Sequence, residues 1–188
     1  TSGMDSRLNQ SGCCLIVLAE WKKKVYDFSK GIRAISSSIR RSIPAFLDSK
    51  IHHNNMLSLV IAKMHANIAG YDAAVMLDER GFVAELNDTN LFMVKNNKVF
   101  TPFAHACLPG ITRGTFMELL KENNIEMEER DLTLVEFINA DLVFATGTNG
   151  EITPVTEMDG REIRCDHDFL EKIKNLFEAK LPSLCESL

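Results

Sequence analysis

Residues 55–69 are apolar on almost every side of the helix they would form. Met56, Leu57, Leu59, Val60, Ile61, Ala62, Met64, Ala66 and Ile68 fall in one run, and Gly70 follows where a C-terminal cap belongs. A helix with that pattern has to be covered, so the segment predicts a buried helix lying against a sheet. The chain then supplies the sheet. Residues 73–77, 82–86, 91–94 and 99–101 are short apolar runs of strand length, broken by a turn at 78–81 and a hairpin at Asn96–Asn97.

Upstream, residues 14–18 (Cys-Leu-Ile-Val-Leu) read as a buried strand, and residues 25–29 and 31–38 as extended segments. Pro44 pushes the residue before it away from helix, and a domain boundary is expected there, dividing residues 1–43 from 44–188. Downstream, Pro109–Gly110 opens an amphipathic helix from Thr112 to about Asn123, and residues 125–130 read as a strand. Thr133 and Glu136 form a capping box for a short helix. A buried strand at 142–145, strands at 152–155 and 161–163 around an Asp159–Gly160 turn, and a terminal helix through Phe169, Ile173, Leu176 and Phe177 complete the pattern. Strands outnumber substantial helices, which predicts an α+β class with a mixed sheet.

Composition narrows the function. The 188 residues are 45% hydrophobic and 25% charged, which excludes a wholly disordered chain. Lys+Arg 21 against Asp+Glu 26 gives a net charge of −5, no footprint for duplex nucleic acid or an anionic membrane. The longest apolar run, residues 13–19, is too short to span a bilayer, and one Trp with two Tyr argues against base stacking. Small molecules are the expected partners. The five cysteines contain no CxxC and no His at finger spacing, so no metal site is expected, and reduced thiols imply a cytoplasmic-type compartment, an organelle being the alternative. No secretory signal pattern opens the chain, and its start at Thr1 implies a processed, trimmed or partial sequence.

Several residues could carry chemistry. Lys50 stands just ahead of the 55–69 helix. An amine held against an apolar element has its pKa lowered by desolvation, which suits a nucleophile toward carbonyls. A solvated surface lysine is the competing reading, and Lys63 within the helix is an equal candidate. Adjacent His52 and His53 would point to opposite faces of a strand, so structural or hydrogen-bonding roles are expected of them rather than a shared metal. Glu85 either sits at an exposed strand edge or is held inside by a cationic partner. The loops at 108–113 and 146–150 join Gly and Thr to a helix start and to a strand end, a pattern that serves either as caps or as an anion cradle.

Together these segments resemble the class IV (fold type IV) pyridoxal-phosphate enzymes, which include branched-chain and D-amino-acid aminotransferases and aminodeoxychorismate lyases. The resemblance runs from about Leu15 to Ile163. It rests on Glu85-x-x-x-x-Asn90-Leu-Phe92, on Val99-Phe-Thr-Pro102, on Leu108-Pro-Gly-Ile-Thr-Arg113, on Thr146-Gly-Thr-x-x-Glu151-Ile-Thr-Pro-Val155, and on Asp159-Gly160. It implies the large pyridoxal-phosphate-binding domain of that fold, preceded by a remnant of a small N-terminal domain. It implies Lys50 as the catalytic amine that condenses with the cofactor and moves its proton, and Glu85 as the carboxylate facing the pyridine nitrogen. Ile111, Thr112 and Thr148 would hold the phosphate, and Asn149 the substrate carboxylate. The family implies exchange of an amino group between an amino acid and a 2-oxo acid in a homodimer, branched-chain substrates being favoured. D-amino-acid transamination and aminodeoxychorismate lysis are the alternatives, and an inactive cofactor-binding fragment is the non-enzymatic one. The chain departs from the pattern at Asn54 and Asn55, where many branched-chain members carry a Tyr, and at Arg164–Asp168, which replaces a glycine-rich segment. None of its arginines matches the motif of the arginine that the family's small domain sends to the phosphate.

Overall fold

The computed structural model describes Arg7, Gly12 and residues 15–21 and 30–184. β1 (Ile32–Arg40) is followed by α1 (Leu57–Ile68), β2 (Ala73–Leu77), β3 (Val83–Leu86), β4 (Asn90–Lys95) and β5 (Lys98–Thr101). Then come α2 (Ile111–Glu122), β6 (Met127–Glu129), α3 (Leu134–Ile138), β7 (Leu142–Gly147), β8 (Glu151–Met158), β9 (Arg161–Glu162) and α4 (His167–Leu184). No described helix is long and apolar enough to cross a membrane.

The described strands join one sheet in the order β3-β2-β1-β8-β7-β4-β5-β6, with β9 on β8. It is mixed: β1 runs parallel to both β2 and β8, whereas β7 is antiparallel to both β4 and β8. The sheet curls. Its inner face gathers Ile32, Val75, Leu86, Leu91, Val143 and Val155 into one core with Phe137 of α3. On the other face, α2 and α4 bury Phe116, Leu120, Ile173 and Phe177 against Phe92 and Phe144. Phe92 and Phe144 are cross-strand partners whose rings stack with centroids 5.2 Å apart, and Phe116 meets both edge-on.

Local sequence explains the boundaries. Asn96 and Asn97 both adopt positive φ, which makes the tight β4–β5 hairpin. Thr133 accepts the Glu136 backbone N–H while the Glu136 side chain accepts the Thr133 N–H, the reciprocal cap of α3. Gly70, at φ +79°, closes α1: the Tyr71 N–H donates to the Ala66 carbonyl and the Gly70 N–H to that of Asn67.

Two expectations are corrected. Leu15 to Leu18 belong to no element and are 75–87% exposed, because an apolar run becomes a strand only where a ladder accepts its backbone, and none of the described strands pairs with it. Cys14 and residues 25–29 lie outside the described residues. Nor is α1 a buried helix. It seats a narrow face, Ala62 and Ala66, on Ala74 and Met76, while Leu57, Val60, Met64 and Ile68 are exposed. The alanines let the helix lie close to the sheet, and among the described residues nothing packs over its other side. The boundary expected at 43/44 follows the central strand β1, which is hydrogen-bonded to β2 and β8 of the segment beyond it.

Candidate functional site

The strand ends of β3, β4 and β7 meet the start of α2 and one side of α1 around a cavity of about 660 Å³. Glu85, in β3, is 6% exposed. Its Oε1 lies 2.8 Å from Nη2 of Arg41, which follows β1, and its Oε2 accepts a 3.1 Å hydrogen bond from Asn90 Nδ2. The same Asn90 amide donates to the Leu108 carbonyl at 2.9 Å, tying the acid to the loop that leads into α2. Burial pushes the Glu85 carboxyl up to about 7, against the opposing pull of Arg41. A carboxyl poised there can hold a proton or exchange it with a basic group in the cavity.

Another part of the wall is made of donors. α2 begins at Gly110 with no side-chain cap and no acidic residue in its first turn, and its first internal bond is Gly114 N–H to Gly110 carbonyl. The N–H groups of Ile111 and Thr112 are thus left without helix partners at the positive end of the helix dipole. Gly110 is required there, since a Cβ would collide with Asn90 Oδ1. Beside this start, the end of β7 brings Thr146 to the cavity, and the β7–β8 loop brings Thr148 and Asn149. Thr146 is 2% exposed, and its hydroxyl is the one buried side-chain polar atom among the described residues with no hydrogen-bond partner. An unsatisfied buried hydroxyl on a cavity wall is what a polar ligand would complete.

The structure therefore brings Glu85, Ile111, Thr112, Thr148 and Asn149 to one cavity, and the cationic partner that Glu85 required inside is Arg41. Lys50 stands between two residues that line the cavity, Ser49 and Ile51, with its side chain turned away. That side chain is 48% exposed with Nζ 3.9 Å from Asp48 Oδ2, and it is not among the cavity-lining residues, whereas His52, His53 and Lys63 are. The cause is a turn: Asp48 Oδ1 accepts the Lys50 N–H and the Asp48 carbonyl accepts the Ile51 N–H, while Ser49, 3% exposed, turns inward to donate to the Ser42 carbonyl. Sequence reasoning passed over Arg41, and it singled out the 146–150 loop without giving Thr146 a role of its own. The Arg40–Arg41 tandem at a strand end was a usable signal, because adjacent residues there point to opposite faces and one must turn inward.

Residues 2–158 match the family model of amino-transferase class IV. The chain is 55% identical over 163 residues to the branched-chain-amino-acid aminotransferase-like protein 2 of Arabidopsis thaliana, covering 87% of this chain and 29% of that protein. It is 43% identical over 151 residues to the putative branched-chain-amino-acid aminotransferase of Methanocaldococcus jannaschii, covering 79% of this chain and 52% of that one. Among solved structures, the Escherichia coli branched-chain amino acid aminotransferase superposes with a TM-score of 0.79 at 33% identity, over 85% of this chain and 54% of that one. The Thermobaculum terrenum branched-chain amino acid aminotransferase, in its PLP-form, gives a TM-score of 0.76 at 29% identity, over 80% and 50%. The chain thus spans between about a third and about half of the length of these relatives.

Proposed function

The chain belongs to the class IV amino-transferase family, and on that premise we propose that its cavity holds pyridoxal 5′-phosphate as the cofactor-binding half of an aminotransferase. The observation that carries this reading is that the buried Glu85 carboxyl, braced by Arg41 and Asn90, lines the same cavity as an uncapped helix start. A cationic ring nitrogen suits one end and a phosphate the other. The unpartnered Thr146 hydroxyl on the same wall fits a polar ligand as well.

Bound there, the cofactor supplies the electron-withdrawing ring that amino-group transfer needs. Each residue then has a task. Glu85 keeps the ring nitrogen protonated, and Arg41 and Asn90 fix the position of its two oxygens. The backbone N–H groups of Ile111 and Thr112, with the Thr112 and Thr148 hydroxyls, hold the phosphate. Asn149 serves the substrate carboxylate. The names of the relatives support branched-chain amino acids and their 2-oxo acids as substrates. A homodimer belongs to the same reading, and the exposed apolar edge of α1 supports it.

Equilibrium dialysis against pyridoxal 5′-phosphate tests the proposal. Saturable binding of one equivalent is expected, weakened about tenfold or more by Glu85→Ala. Equal binding by the variant would reject the role given to Glu85. Incubation of the loaded chain with L-leucine, D-alanine or aminodeoxychorismate then separates the substrates by the pyridoxamine 5′-phosphate or aminobenzoate released.

A further inference from the structure

Asn87 follows β3 directly and is 7% exposed, yet it belongs to the cavity wall. Its backbone N–H donates to the Ala74 carbonyl at 3.0 Å, which carries the β2–β3 ladder one residue past the strand. The side chain completes that rung: Oδ1 accepts the Ala74 N–H at 2.8 Å, in the place where a strand carbonyl would stand. Glu85 lies opposite Met76 in the same ladder, and Ala74 and Met76 both pack under α1. Asn87 and Glu85, two residues apart, therefore face the same way, toward α1 and the cavity between. Fixing Oδ1 fixes the whole planar amide. Nδ2 is left on its other side, and among the described residues no group accepts from it. The one partnerless side-chain polar atom that is fully sealed among those residues is the Thr146 hydroxyl, so Nδ2 keeps an opening, and for a residue this buried the opening is the cavity.

We propose that Asn87 Nδ2 is a ligand-binding donor whose acceptor is the phenolic oxygen of the pyridine ring bound at Glu85. The proposal rests on the cavity being a pyridoxal-phosphate site. Such a ring carries two acceptors of its own, the nitrogen and the phenolic oxygen, besides the phosphate and the substituent that exchanges the amino group. Glu85 takes the nitrogen and the start of α2 the phosphate, which leaves the phenolic oxygen for the second polar group on the Glu85 face of the sheet. That oxygen gives up its proton readily beside a cationic ring nitrogen, and an N–H donor stabilises the anion. The sheet holds the amide in place before any ligand arrives, so the contact costs little further ordering. Capping the ladder explains Oδ1 alone; the donor is what the amide adds.

The experiment titrates the chain by calorimetry with pyridoxamine 5′-phosphate and with its 3-deoxy analogue, which differs only in lacking the phenolic oxygen. The parent is expected to bind the phenolic form about tenfold more tightly, and Asn87→Ala to bind the two within about twofold of each other. Asn87→Asp keeps an oxygen for the Ala74 N–H and gives up the donor, so it too is expected to lose the preference. A residue that only capped the β2–β3 ladder would weaken both ligands alike when replaced, leaving their ratio unchanged, and a preference of about tenfold that survives in either variant overturns the proposal. So does a parent that binds the two ligands equally, whatever the variants do, and in that case the cofactor site stands. Binding of neither ligand by the parent overturns the proposal and the cofactor site together.

Discussion

Arg41 Nη2 lies 2.8 Å from Glu85 Oε1, and both side chains are more than nine-tenths buried at the floor of the cavity. The guanidinium is also held by the Ala106 carbonyl, which accepts from Nε at 3.1 Å. Removing one member of such a pair costs more than the pair itself contributes, because the survivor must either stay charged in a medium that cannot solvate it or give up its charge by exchanging a proton. Arg41→Ala is therefore expected to destabilise the fold by about 3 kcal/mol in urea unfolding, and Arg41→Leu combined with Glu85→Gln to recover most of that loss. A single variant within about 0.5 kcal/mol of the parent would show that the pair is solvated.

The Glu85 carboxyl gives stability a pH signature. Burial lifts it from 4.5 to about 7, so between those values the folded chain keeps a proton that the unfolded chain releases. Its contribution is fully present below 4.5 and is lost as the pH rises through about 7. Urea midpoints of the parent should fall across that window relative to Glu85→Gln, and a cationic ring bound beside the acid should remove the difference. Parallel pH profiles for the two proteins would contradict the assignment.

Gly110 and Gly70 separate close approach from backbone strain. A methyl group at position 110 collides with Asn90 Oδ1, whereas one at position 70 meets open space at φ +79°. Gly70→Ala should cost about 1 kcal/mol of strain and leave ligand binding intact. Gly110→Ala should cost about 1–3 kcal/mol and also weaken pyridoxal 5′-phosphate, because it displaces the amide that steadies Glu85 and the helix start together. Chemical denaturation and dialysis on the two variants give the comparison.

Thr146→Val should move stability and binding in opposite directions. The buried hydroxyl has no partner in the free chain, so its loss should raise stability by about 1 kcal/mol, while cofactor affinity falls about tenfold. Thermal melts with and without pyridoxal 5′-phosphate read both. As a control remote in function, Thr133→Ala removes the α3 cap and should cost about 1 kcal/mol with affinity unchanged.

The sequence was most readable where short-range rules operate. The Asn96–Asn97 hairpin, the Thr133–Glu136 capping box and the terminating Gly70 each depend on a few neighbouring residues, and each stands where its pattern placed it. The motif residues Glu85, Thr112 and Thr148 also converge on one cavity, since strand and helix periodicity fix which way they face. Lys50 shows the limit. Residues 44–54 contain no regular element, so nothing in their spacing says which side of the turn faces inward, and the local hold of Asp48 decides it. α1 shows another: apolar residues state what a helix could bury, and the surroundings state how much is covered.

The placement of β1 bears on how the chain is made. It is the seam between β2 and β8, and its Ser36 N–H is held by an Asp159 carboxylate 123 positions downstream. On a ribosome, then, the strand that emerges first among the described ones must wait, half-paired, until β8 has cleared the exit tunnel. Slow, late closure of the sheet is the natural outcome of such long-range pairing, and the nascent polypeptide would need shielding in the interval.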